Sequence, residues 1–207
     1  MARAKSEATR ERVIQGTLRA LAQHGVTATT TRKIAAECGV PLATLHYHFE
    51  SKSALLLAVL DAINEEVVAL FGAELRRSVD LDARIAQVLR TVWRHLERTR
   101  DIQIVQYELT MYALREDAGW LAERQYESYV KLYRDALFDT ARRTSELGAA
   151  DCTVLARFML AGIDGLLLQE LARPGRARSR KGLEALIGAT QGLARQLRAE
   201  DRPAAAD

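Results

Sequence analysis

Residues 27–55, TATTTRKIAAECGVPLATLHYHFESKSAL, constrain the fold more than any other part of the chain. Ile34 and Cys38 are four residues apart, which places them on one face of a short helix. Gly39 follows, and glycine readily adopts the left-handed backbone that ends a helix sharply. Pro41 then stands where its fixed φ suits the first turn of a new helix. The spacing therefore predicts two short helices joined by a tight turn.

The second of these helices has one apolar face and several polar ones. Leu45 and Phe49 are four residues apart and point inward. Hydroxyl, phenol, imidazole and ammonium groups donate to phosphates and base edges, and this segment carries Thr44, His46, Tyr47, His48 and Lys52. The pattern favours a helix-turn-helix whose second helix enters the DNA major groove. An ordinary helical hairpin, which also uses glycine at its turn, is the alternative.

The same residues resemble a known family. Residues 10–60 are similar to the N-terminal domain of the TetR family of bacterial transcription regulators, and the matching positions are Thr30–Ala35, Gly39–Pro41, Leu45–Phe49, Ser51–Lys52 and Leu55. The resemblance covers about a quarter of the chain, and the remainder is similar only in length and helical character. It implies an all-α fold with a three-helix DNA-binding domain over 1–52 and a helical ligand-binding and dimerisation domain over 53–207.

The resemblance also implies a function. Members of the family bind double-stranded operator DNA as homodimers, and most are repressors released by a small molecule. By motif position the expected DNA contacts are Thr31, Arg32, Pro41, Leu42, Ala43, Thr44, His46, Tyr47, His48 and Lys52. Two departures from the family weaken base readout. His46 stands where the family more often has Tyr, and Leu42 and Ala43 are apolar, so they offer at most a thymine-methyl contact.

Composition agrees with a cytoplasmic helical protein. The chain has 207 residues, 48% of them hydrophobic, and only three prolines, which suits a packed all-helical fold. It contains no apolar run of membrane-spanning length and begins with no apolar signal segment. Cys38 and Cys152 fall in different predicted domains, so we expect core packing and not a disulfide.

Charge is concentrated where DNA binding needs it. The net charge is +3, and residues 1–52 alone carry eight Lys/Arg against four acids. A positive excess in the DNA-binding segment is what phosphate neutralisation requires. A second basic cluster between Arg173 and Lys181 is interpreted as a solvated loop in preference to a nucleic-acid patch.

Beyond residue 52 the pattern predicts six helices, at about 52–77, 80–98, 102–115, 118–145, 151–172 and 181–199. The last two are the predicted dimer interface. Their apolar residues are Leu155, Phe158, Met159, Ile163, Leu166 and Leu167, then Leu183, Leu186, Thr190, Leu193 and Leu197. Ala161, Gly162 and Gly165 would let another helix approach closely. A single-chain core would give the same pattern, but the resemblance favours a dimer.

The middle helices are rich in aromatic residues, which is typical of a small-molecule pocket. The candidate ligand-binding residues are Trp93, Tyr107, Met111, Trp120, Tyr126 and Phe158. Nearby Glu108 or Asp164 could favour a flat or cationic ligand. Core packing and surface tyrosines are the alternative for each ring taken singly. The hypothesis is that ligand binding displaces the 52–77 helix and so the recognition helices.

Catalysis and metal binding are not predicted. His46 and His48 are two residues apart, so on a helix they point to different sides. The sequence contains no HExxH motif, cysteine cluster or Gly-rich phosphate loop, and no cofactor is expected. The remaining alternative to a regulator is a helical protein–protein interaction module without DNA binding.

Overall fold

The computed structural model describes residues 2–76, 78, 80–144 and 147–200, without the side chains of Ala2 and Arg3. All regular structure in these ranges is α-helical, as predicted. The helices are α1 (Ala2–His24), α2 (Thr31–Glu37), α3 (Leu42–His48), α4 (Lys52–Glu74), α5 (Leu81–Arg98), α6 (Arg100–Arg115), α7 (Gly119–Thr144), α8 (Ala149–Ala172) and α9 (Arg176–Glu200).

Side-chain caps explain where several helices begin. The Thr30 hydroxyl accepts the Lys33 N–H at the start of α2. Ser51 Oγ accepts the Ala54 N–H at 3.1 Å before α4, and Asp80 Oδ1 accepts the Ala83 N–H at 2.7 Å before α5. Such caps satisfy backbone donors that have no partner within the helix.

The helices after residue 52 match the predicted ones to within a few residues. Arg77 and Ser145, the predicted last residues of two of them, lie outside the described residues. In the ranges that the structure covers, none of the helices combines the length and the apolar character that crossing a membrane would take.

The chain forms two compact units that interleave along the sequence. The first takes the chain as far as Glu66 together with Thr99–Tyr126, and the second takes Val67–Arg98 and the chain from Glu127 onward. The first unit therefore holds α1 to α3, most of α4, α6 and the start of α7. The domain boundary predicted between residues 52 and 53 stays a prediction.

The core of the first unit joins the helix-turn-helix to four longer helices. Its buried members come mainly from α1, the two short helices, α4, α6 and the start of α7, and include Val13, Leu21, Ile34, Leu45, Phe49, Leu55, Leu56, Val59, Val105, Leu109 and Leu121. Each buried side chain of this size adds roughly 1.5–3 kcal/mol from the removal of apolar surface from water. The helix-turn-helix is therefore held in place by residues that are far from it in the sequence.

In the second unit α8 and α9 pack against each other, and glycines make that packing close. A Cβ at Gly162 would lie 2.3 Å from Leu186 Cδ1, and one at Gly182 would lie 2.5 Å from Leu166 Cδ2. The helix that Gly162 was predicted to admit is thus α9 of the same chain.

This packing corrects the predicted dimer stripe on α9. Leu183, Leu186 and Thr190 are buried within the chain, as are Leu155, Met159 and Ile163 on α8. These residues form a single-chain core, the alternative that the sequence pattern had left open. Phe158 of the predicted set is exposed, as are the small residues Ala161 and Gly165.

Both cysteines pack in the interior. Within the described residues Cys38 and Cys152 are free, buried thiols. Burial raises the pKa of Cys152 to about 11 and also raises that of Cys38. The expectation of core packing is confirmed.

Gly16 is the point at which α1 comes closest to the helix-turn-helix. A Cβ there would lie 2.3 Å from Cys38 Sγ. We expect Gly16→Ala to lower the free energy of unfolding by roughly 1–3 kcal/mol, the usual cost of overpacking. Chemical denaturation measures this.

The matched control is the double variant Gly16→Ala/Cys38→Ala. Removing the sulfur relieves the clash, so the two substitutions should be non-additive, with the double variant more stable than the sum of the single effects. Additive losses would show that the contact is not the cause.

Candidate DNA-binding surface

The turn of the helix-turn-helix has the predicted geometry with one shift. Gly39 has φ +62° and so occupies the left-handed region. Pro41 has φ −58° and ψ 144°, which makes it the residue before α3 and not its first helical residue. Helix α3 accordingly begins at Leu42, one position later than the sequence predicts.

Helix α3 presents one face to the core and the others to solvent. Leu45 is 1% exposed, whereas the Tyr47 side chain is 81% exposed. Pro41, Ala43 and His46 are also exposed, and Leu42, Thr44 and His48 are half-buried. The residues predicted to contact DNA on this helix thus surround its outward face.

Neighbouring rings orient the end of this helix. The rings of Tyr47 and His48 meet edge to face, with centroids 5.2 Å apart and planes at 81°. Such a contact is typically worth about 0.5–1.5 kcal/mol. Tyr47 is therefore exposed and at the same time restrained.

The two predicted DNA contacts on α2, Thr31 and Arg32, differ in how exposed they are. Arg32, on the first turn of α2, is exposed, and Thr31 beside it is half-buried. The part of the chain that the structure describes contains no ion pair of Arg32 with a carboxylate. Its guanidinium is therefore available to a phosphate.

Lys52 has partners inside the protein. Its Nζ donates to the Val26 carbonyl at 3.0 Å and lies 4.5 Å from the centroid of the Tyr112 ring. Burial lowers the pKa of this ammonium, an effect that Glu116 partly opposes. A phosphate contact from Lys52 stays a prediction, and the structure gives the residue a second, internal role.

Arg10 is a residue that the sequence reasoning did not single out. It is exposed on α1, and its guanidinium carbon lies 5.3 Å from the centroid of the Phe49 ring, at the C-terminal end of α3. This contact places a positive charge beside the end of α3. Sequence spacing could not find it, because Arg10 lies on α1 and Phe49 follows α3, far away in the sequence.

The predicted ligand-binding residues divide between the two units. Tyr107, Met111, Trp120 and Tyr126 belong to the first, and Trp93 and Phe158 to the second. Trp93 is buried, Tyr107 and Tyr126 are half-buried, and the others are exposed. Glu108, considered for the same pocket, instead accepts the Val26 N–H at 2.8 Å. The set as a ligand site stays a prediction.

A cleft in the second unit has a different chemical character. Its volume is about 600 Å³, and its lining includes Glu74, Arg76, Thr91, Arg90 and Arg94. None of the predicted ligand-binding residues lines it. Arg94 is paired there with Glu74 at 2.6 Å.

Comparison with known proteins identifies the helix-turn-helix. Residues 13–59 match the family model of bacterial regulatory proteins of the tetR family. Residues 13–59 therefore form a TetR-type DNA-binding domain. The chain is a DNA-binding transcriptional regulator, and α3 is the second helix of the helix-turn-helix in its TetR-type domain.

Similarity to TetR-type relatives extends over most of the chain. It is 26% identical over 181 residues to the nicotine-responsive transcriptional repressor HdnoR of Paenarthrobacter nicotinovorans, covering 87% of this chain and 92% of that protein. It is 29% identical to the transcriptional regulator TtgR of Pseudomonas putida, covering 83% and 85%. A TetR transcription regulator from Haloarcula marismortui shares the fold, with a TM-score of 0.67, 22% identity, and 92% and 98% coverage.

The geometry of this TetR surface predicts separable effects of Tyr47 and Arg32. Because the Tyr47 side chain is 81% exposed, Tyr47→Ala should lower the free energy of unfolding only by the roughly 0.5–1.5 kcal/mol of the ring contact with His48, and should weaken binding to a specific duplex by roughly 1–3 kcal/mol. Arg32→Ala should reduce the slope of log K against log salt by about 1, since one phosphate contact is lost. Fluorescence anisotropy over a range of salt concentrations measures both.

Arg124→Ala is the matched control for Arg32→Ala. Arg124 is an exposed arginine on α7 of the same unit. Its removal should leave the slope unchanged. Equal slopes for all three proteins would contradict a phosphate contact from Arg32.

Proposed function

We propose that this protein is a repressor that binds operator DNA as a homodimer and leaves it when a small molecule binds. The outward face of α3, with Tyr47 81% exposed, is the observation that carries the proposal. HdnoR, which is similar along 87% of this chain, is a nicotine-responsive repressor. By similarity to that relative, we propose ligand-responsive repression for this chain.

Selection of bound sequences from random duplex DNA tests the DNA-binding part. A dimer presents two copies of α3 to half-sites about one helical turn, roughly 34 Å, apart. We expect enrichment of an inverted repeat with that spacing. Failure to enrich any sequence would favour the alternative, a helical interaction module without DNA binding.

The dimer is supported by an exposed strip on α8. Five apolar or small residues recur at alternating spacings of four and three and are all exposed: Val154, Phe158, Ala161, Gly165 and Leu168. Helix α9 adds exposed Ala185, Gly188 and Ala189. A strip of this period suits packing against a second helix, and we propose that it meets its copy across a two-fold axis.

Leu168 tests this interface. Its side chain is 56% exposed, so Leu168→Asp should not unfold the chain. It should shift the protein from dimer to monomer in analytical ultracentrifugation and weaken binding to a two-half-site duplex by roughly 100-fold, because avidity is lost.

Val68→Asp is the matched control, since Val68 on α4 is 57% exposed and lies off the strip. It should remain dimeric. A Leu168→Asp protein that sediments as the wild type does would contradict the proposed interface.

The effector proposal concerns α6 and the start of α7. Tyr107, Met111, Trp120 and Tyr126 all belong to the first unit, and Met111 and Trp120 are each 49% exposed. Aromatic and thioether groups suit a flat or cationic organic molecule. We propose that such a ligand binds these residues in the conformation that is incompetent for DNA.

A ligand shifts this equilibrium only by binding one conformation more tightly than the other. The 52–77 segment, largely helix α4, follows the helix-turn-helix directly and would carry the displacement. Titration of the preformed complex of protein and operator DNA with a bound compound measures this shift. A compound that binds the protein but leaves its affinity for the operator unchanged would contradict the scheme.

A further inference from the structure

The backbone of Val26, between α1 and α2, is held at both its N–H and its carbonyl by charged side chains. The Val26 N–H donates to Glu108 Oε2 at 2.8 Å, and the Val26 carbonyl accepts from Lys52 Nζ at 3.0 Å. Glu108 comes from α6 and Lys52 from α4. We call these three residues the Val26 clamp.

The clamp acts on the segment that leads into the helix-turn-helix. Gly25 has φ +74°, and the buried Thr29 hydroxyl donates to the Gly25 carbonyl at 2.6 Å. The next residue, Thr30, caps α2. The Val26 backbone therefore lies in the short connection that leads from α1 to the cap of α2.

The surroundings make the clamp more than a surface contact. The Val26 side chain is 1% exposed, and both Glu108 and Lys52 are half-buried. The Lys52 ammonium also lies 4.5 Å from the Tyr112 ring centroid. Hydrogen bonds to ionised groups are stronger than neutral ones, and a desolvated charge left unpaired is costly.

We propose that Glu108 and Lys52 are positioning residues for DNA binding, which orient α2 and α3 through the backbone N–H and carbonyl of Val26. Neither side chain needs to touch DNA for this role. The proposal rests on the sequence-specific DNA binding proposed above, and it is independent of dimer geometry and of any effector.

When Glu108 is replaced, simple electrostatics and loss of the clamp predict changes of opposite sign in the affinity for DNA. Removing an acid from a DNA-binding unit reduces repulsion of phosphates and should strengthen binding slightly. Losing the clamp instead lets α2 and α3 move and should weaken specific binding. The sign of the change therefore distinguishes the two effects.

The experiment compares Glu108→Ala and Glu108→Gln with the wild type on the selected duplex and on a scrambled one. The alanine variant should bind the selected duplex about tenfold more weakly, with scrambled binding unchanged. The glutamine variant keeps an oxygen acceptor for the Val26 N–H, so it should stay within about twofold of the wild type. Glu123→Ala, which removes an exposed acid of the same unit, is the charge control and should not weaken binding.

Lys52→Met completes the test through the salt dependence of binding. A clamp residue lowers specific affinity with an unchanged salt slope, whereas loss of a phosphate contact reduces the slope by about 1. Unchanged discrimination between the duplexes in both Glu108→Ala and Lys52→Met would overturn the proposal. If Glu108→Ala fails to fold, Lys52→Met alone decides, and unchanged discrimination between the selected and the scrambled duplex in that variant would overturn the proposal. A wild-type protein that does not discriminate would contradict the proposed function together with the clamp.

Discussion

Everything at the DNA-binding surface depends on the burial of Leu45 and Phe49 beneath α3. That helix has seven residues, and an isolated helix of this length is not stable in water. Its conformation comes from the core that it shares with Ile34 and with residues of α1, α4 and α6. The polar residues around Tyr47 face outward only because the apolar ones face inward.

Local features of the sequence predict much of this fold. Helix starts at Thr30, Ser51 and Asp80 follow from cap chemistry, and the turn follows from Gly39 and its left-handed backbone. These interactions lie within a few residues of each other, so the sequence displays them directly. The same reasoning, with the family resemblance, singled out the residues around the outward face of α3.

Interactions between distant residues were not predictable in the same way. Glu108 and Val26 are 82 residues apart, and the aromatic residues near Glu108 in the sequence favour its interpretation as a pocket residue. Motif position predicts a contact of Lys52 with a DNA phosphate. The carbonyl to which Lys52 donates belongs to Val26, in a loop 26 residues earlier. The leucines of α9 form the stronger apolar stripe, yet Leu183 and Leu186 are buried within the chain and Leu193 and Leu197 are half-buried. The exposed strip on α8 mixes small and large residues.

The central claim is that two copies of α3 read DNA from one face of the duplex. Hydroxyl-radical footprinting on the selected duplex tests it most directly. The account predicts two protected segments whose centres are about one helical turn apart, both weakened together by Tyr47→Ala. A single protected segment, or protection that persists in that variant, would contradict it.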